Sequence, residues 1–127
     1  MAKIVVADDE PHILRLIQFT LEKHGYQVIP ADNGKSAVEY AVRELPDLVI
    51  LDVMMPVMDG YSACASIKEQ AKTKNIPVLI LSAKTQQTEI RRGIDSGAQG
   101  YLNKPFTPKE LLAQVTEILE KSPQKEV

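Results

Sequence analysis

Three short runs in this chain are apolar without alternation: "KIVVA" at 3–7, "LVIL" at 48–51 and "IPVLIL" at 76–81, the last with its proline confined to the start. A strand with one wet face alternates apolar and polar residues, so unbroken runs of this length belong to strands covered on both sides. Between them the period changes. In "PHILRLIQFTLEKHG" (11–25), Ile13, Ile17 and Leu21 recur every four residues with Leu14 beside them, and Gly25 stops the pattern. "NGKSAVEYAVREL" (33–45) puts Ala37, Val38, Ala41, Val42 and Leu45 on a face expected to be buried, before Pro46.

"GYSACASIKEQ" (60–70) follows Asp59 as its cap, with Cys64 as a small buried residue, and "QQTEIRRGIDSG" (86–97) is a thin helix with little beyond Ile90 and Ile94 to bury. "TPKELLAQVTEILEK" (107–121) has Thr107 as N-cap, Pro108 at the first helical position and Glu110 completing a capping box. With the shorter strands "YQVIP" (26–30) and "QGYLN" (99–103), five strands alternate with five helices. That order predicts an α/β fold, a doubly wound parallel sheet with helices on both faces.

The 127 residues make one domain, 1–121, followed by a polar tail, 122–127. A net charge of −2 with no Lys/Arg block argues against direct nucleic-acid binding. The apolar runs are too short to span a bilayer, and "MAKIVV" lacks the regions of a signal peptide. With a single cysteine, Cys64, a reducing cytoplasmic location is expected. His12 and His24, both expected to face solvent, offer no zinc spacing with it, and Met54, Met55 and Met58 have no Cys or His beside them to make a soft-metal site.

In a parallel sheet all strand C-termini share one rim, where ligands of open α/β folds bind. Strand 1 runs into Asp8-Asp9-Glu10, strand 3 ends at Asp52, strand 4 at Ser82 and strand 5 at Lys104. Singly, each has a bland reading: aspartates cap helices, a serine sits in a turn, a lysine is solvated. Asp52, directly ending an apolar run, has few structural uses. Together, clustered carboxylates repel one another unless a cation intervenes, and a hard divalent ion such as Mg2+ suits oxygen ligands. A lysine and a hydroxyl at the same point supply donors to phosphoryl oxygens, which suggests phosphoryl transfer onto a carboxylate nucleophile.

The segments "ADDE", "DVMMPVMDG", "LSAK" and "YLNKPF", in this order and each at a strand end, resemble the receiver domain of two-component response regulators, the CheY-like family. The resemblance implies the strand order 2-1-3-4-5 and makes Asp52 the phosphoacceptor. It implies Mg2+ held by Asp8, Asp9, Asp52 and the backbone carbonyl of Met54, with Ser82 and Lys104 on phosphoryl oxygens. It further implies a cis Lys104–Pro105 peptide, Tyr101 as a switch aromatic, and output through the surface of the fourth helix, fifth strand and last helix. The expected donor is a histidine kinase or histidine phosphotransfer protein, and the expected target a downstream protein. No membrane partner is expected, and the unphosphorylated form is expected to be a monomer.

Two departures from the family's pattern shape these expectations. DNA-binding members usually carry "GADDY" and "LAR" where this chain has "GAQGY" and "LAQV", so Gln99, Gly100 and Gln114 replace residues of their dimer contacts. That favours a free-standing receiver, although a receiver cut from a larger regulator would read the same. Met54 and Lys84 occupy the positions that govern water's access to the phosphate, and a bulky apolar and a basic group there predict slow self-dephosphorylation. A switch, rather than a turnover enzyme, is expected. A dehalogenase-type phosphatase would need an acid at Met54, and a flavodoxin-like cofactor binder would need a glycine- and hydroxyl-rich loop after strand 1. A degenerate docking receiver would not need the intact Asp–Ser–Lys set.

Overall fold

The computed structural model describes residues 2–83 and 97–121. The chain runs β1 (Lys3–Ala7), α1 (Pro11–Lys23), β2 (Gln27–Ala31), α2 (Gly34–Glu44), β3 (Leu48–Asp52), α3 (Gly60–Glu69), β4 (Val78–Ser82), β5 (Gly100–Asn103) and α4 (Pro108–Lys121). The helix predicted over 86–97 and the tail 122–127 lie outside the described residues, as does Lys84. The strands form one parallel sheet in the order β2-β1-β3-β4-β5. Its edge at β2 accommodates Pro30, which has no N–H to give a ladder.

The unbroken apolar runs are explained by the two cores, because successive strand residues point to opposite faces. Val5, Ala7, Val49, Leu51, Val78 and Ile80 pack with α2 and α3, whose contributions are small: Ala37, Ala41, Ala63 and Cys64, with Ile67. Ile4, Val6, Leu48, Ile50, Leu79 and Leu81 pack with α1 and α4 through Ile17, Leu21, Leu111, Val115 and Ile118. β1, β3 and β4 are therefore sealed on both sides, and their C-terminal ends are the places where their chain must turn polar.

Capping follows the sequence signals. Asn33 and Asp59 accept from the backbone N–H of Ser36 and Ser62, each at 2.8 Å. The box at α4 closes in both directions: Thr107 N–H donates to Glu110 Oε1 at 2.9 Å, and Glu110 N–H to Thr107 Oγ1 at 3.1 Å. Leu45 departs from expectation. It is the left-handed C-cap of α2, φ 46°, and is 41% exposed rather than buried. Pro46 bars the helical conformation for the residue before it, so the chain leaves α2 there and the Leu45 side chain leaves the apolar stripe. Val38 and Val42 are half-buried.

Candidate functional site

At the C-terminal rim, register brings the polar ends level. Ala7 lies opposite Ala31 and Leu51, Asp52 opposite Leu81, and Ser82 opposite Asn103. The residue after β1, Asp8, is fully buried, and Asp52 is 4% exposed. Asp8 is held by its own turn: Oδ1 accepts from the Glu10 N–H at 2.9 Å, and its backbone N–H donates to Ala31 O at 3.1 Å. Asp52 is pinned from behind by α3. A Cβ on Gly60 would collide with the Asp52 carbonyl oxygen, and Gly60 N–H donates to Val53 O at 3.0 Å.

The connection from β3 to α3 is tightly wound. Met58 N–H donates to Pro56 O at 2.7 Å, closing a turn on Val57 with φ 69°. Such a turn is strained, and a β-branched residue at positive φ is an outlier, here in the connection that follows Asp52. Val57 and Met54 are exposed to solvent, 76% and 70%.

Lys104 is the hub. Its backbone N–H donates to Ser82 O at 2.8 Å, and the peptide to Pro105 is cis. The Nζ lies 2.9 Å from Asp52 Oδ1, 3.0 Å from Asp8 Oδ2 and 3.4 Å from Glu10 Oε1. An ammonium has three hydrogens, and here three carboxylates take them.

These contacts set the electrostatics. Burial pushes the Asp52 carboxyl up to about 6; the Lys104 hydrogen bond pulls it back, and the Asp8 and Asp9 charges add to the rise. For Lys104, burial works to lower the pKa, but the Asp52 and Asp8 carboxylates outweigh it and the net shift is upward. One lysine does not balance the acids at this rim.

Asp8, Asp9 and Asp52 each offer a carboxylate oxygen, all within 4.8 Å of one another. An all-oxygen set with two buried members and one exposed member, Asp9, suits a hard divalent cation that keeps some of its waters. The donor chemistry fits Mg2+. Met54 lies two residues beyond Asp52 on the same turn.

Ser82 is 1% exposed at the end of β4. Tyr101 is half-buried in β5, opposite Ile80, and packs against the core cluster that Ile80 belongs to. His12 and His24 are exposed, and Cys64 is buried, as expected. Two features escaped sequence reading. Glu10 was visible as an acid but not as a partner of Lys104; the signal was a glutamate in a cap position that favours shorter side chains. The strained backbone at Val57 had no signal, since valine there argues against it.

The family profile of the response regulator receiver domain matches residues 4–116. The chain is 42% identical over 120 residues to the Bacillus subtilis alkaline phosphatase synthesis transcriptional regulatory protein PhoP, covering 94% of this chain and 49% of PhoP. It spans about half the length of the first curated relatives it matches. PilH of Pseudomonas aeruginosa is 39% identical, with 94% of this chain and 98% of PilH covered. Among solved structures, Vibrio cholerae chemotaxis protein CheY4 superposes with TM-score 0.89 at 35% identity, covering 93% of this chain and 98% of that one. The receiver domain of a Pseudomonas aeruginosa sensor histidine kinase, solved with a magnesium ion coordinated in its active-site cleft, gives TM-score 0.88 at 30% identity, covering 94% and 98%. The profile match over most of the chain, together with relatives such as PilH covered almost end to end, shows that the chain belongs to the response regulator receiver domain family.

Proposed function

We propose that the chain is a phosphorylation switch in which Asp52 accepts a phosphoryl group from a histidine kinase or histidine phosphotransfer protein, or from a small acyl phosphate. The observation that carries this reading is the buried Asp52 carboxylate 2.9 Å from Lys104 Nζ, with Asp8 and Asp9 within metal-sharing distance. Asp52 Oδ attacks the donor phosphorus as the phosphorus–nitrogen bond of a phosphohistidine breaks. The imidazole nitrogen keeps the electron pair and takes a proton from water. With a carboxyl held near 6, Asp52 is mostly the nucleophilic carboxylate at neutral pH.

Asp8, Asp9, Asp52 and the Met54 carbonyl would hold Mg2+, a reading supported by the related receiver solved with magnesium in its cleft. When bound, the ion supplies charge neutralisation at the transferring oxygens. Lys104 exchanges its Asp52 contact for one phosphoryl oxygen, and Ser82 donates its hydroxyl to another. Water attack at phosphorus later restores the Asp52 carboxylate and releases inorganic phosphate, which resets the switch; the phosphorylated form, not the released phosphate, is the signalling output. Met54, exposed at the mouth, together with Lys84 would slow that attack.

Inverting a 1:99 equilibrium takes about 5.5 kcal/mol. Charge-assisted bonds from Lys104, Ser82 and a loop N–H, at roughly 1.5–3 kcal/mol each, are of that size. Tyr101, half-buried on β5, would register the change, with output to a downstream protein across β5, α4 and the segment 86–97. Relatives of both kinds, the longer transcriptional regulators and PilH, carry this domain. Beryllofluoride, a non-transferring phosphoryl mimic, tests the switch: with Mg2+ it is expected to shift the amide signals of Ser82, Tyr101 and Lys104. Signals unmoved at saturating beryllofluoride and Mg2+ would overturn the reading.

A further inference from the structure

Glu10 is the N-cap residue of α1, yet its side chain makes no capping hydrogen bond. Serine, threonine, aspartate or asparagine would serve that position better. The Glu10 carboxylate instead reaches the Lys104 ammonium at 3.4 Å while remaining 64% exposed, whereas the other two partners of Lys104, Asp8 and Asp52, are buried. A local capping rule is therefore broken where a compensating contact exists, at the solvent side of the site. We infer that Glu10 is a specificity-determining residue: it tethers Lys104 and places a negative charge at the entrance that selects against strongly anionic small phosphodonors. This rests on the reading of Asp52 as phosphoacceptor.

Two consequences follow from Coulomb's law. A donor dianion meets twice the repulsion of a donor monoanion, so the effect depends on donor charge. It also fades with salt, because Glu10 is exposed and its field is screened. A protein donor escapes the penalty when it sets a cation of its own against Glu10.

The test compares acetyl phosphate, a dianion, with phosphoramidate, which carries one net negative charge, on wild type, Glu10→Gln and Asp52→Asn. Glu10→Gln is expected to raise the second-order phosphorylation rate with acetyl phosphate roughly 25-fold at low ionic strength, the square of the roughly fivefold factor that one unit charge exerts on another at about 4 Å through water. The gain with phosphoramidate should be smaller, and both gains should shrink as salt rises. Equal gains for the two donors, or none, would overturn the inference while leaving Asp52 intact as acceptor. Phosphate still accepted by Asp52→Asn would instead overturn the parent reading. The tether has its own readout: the Lys104 ammonium NMR signal of the unphosphorylated protein should move in Glu10→Gln, and an unmoved signal refutes it whatever the kinetics show.

Discussion

Two lysines at opposite ends of the sheet bury their ammonium groups in contrasting ways. Lys68, in the last turn of α3, donates to the backbone carbonyls of Ile76 at 2.6 Å and Lys74 at 3.3 Å, closing the connection into β4. Burial lowers its pKa, with the Cys64 thiol acting the other way. Lys104 faces three carboxylates and has its pKa raised. Neutral carbonyls hold a cation without creating any excess charge, so Lys68 is a staple. The acids around Lys104 outnumber it, and the rim retains negative charge that only a further cation can balance. The same residue type thus closes a loop at one end and leaves a site electrically incomplete at the other.

The sharpest way to break this contrast is kinetic. Lys104→Ala is expected to slow phosphorylation by acetyl phosphate on the order of 100- to 1000-fold, the size of losing a preorganised donor to transition-state charge. Lys68→Met should leave the rate within about twofold, since among the described residues its hydrogen bonds go to Lys74 and Ile76, away from the rim. Comparable losses in the two variants would mean that the ends are not functionally distinct.

Stability sharpens it next. Without Mg2+, Lys104→Ala leaves buried Asp8 and Asp52 uncompensated and is expected to destabilise the fold by about 3 kcal/mol in urea unfolding at neutral pH. Saturating Mg2+ should restore most of that loss. A loss that Mg2+ does not touch would argue that packing, not charge, is what Lys104 supplies.

The pH dependence comes third. Asp52 is raised in the folded chain, from 3.8 to about 6, so folding favours its protonated form. Its favourable contribution is complete below pH 3.8 and is lost as pH rises through 6. In Mg2+-free buffer Asp52→Asn should therefore be more stable than wild type above pH 7, by about 1–3 kcal/mol at 1.36 kcal/mol per pKa unit. The gap should close toward pH 4. A gap constant across pH would remove burial of the carboxylate as its cause.

The smallest effect belongs to the staple. Lys68→Met should cost about 1–2 kcal/mol, the order of losing charge-assisted bonds to carbonyls, and Mg2+ should not recover it. Recovery by Mg2+ would tie Lys68 to the rim after all.

Much of this molecule was legible before its structure. Unbroken runs such as "LVIL" declared strands sealed on both faces, and the residues ending them could only gather at one rim. Asp8, Asp52 and Lys104 meet there as the order of elements required. What escaped depends on geometry that side-chain type does not encode. Leu45 continues the helical stripe in sequence, but Pro46 turns it outward. Glu10 could have been a solvated charge, and only the reach of Lys104 across the rim makes it a partner. The sheet could be read from a pattern of many residues, whereas these features each turn on one torsion or one side chain's reach.

The central claim is that Asp52 accepts a phosphoryl group with help from Mg2+. Intact-mass spectrometry after incubation with acetyl phosphate tests it most directly, with and without Mg2+, on wild type and Asp52→Asn. The expected result is a gain of one phosphate on wild type that requires Mg2+ and is absent in the variant. No gain on wild type with Mg2+ present, or an equal gain on Asp52→Asn, would contradict the account.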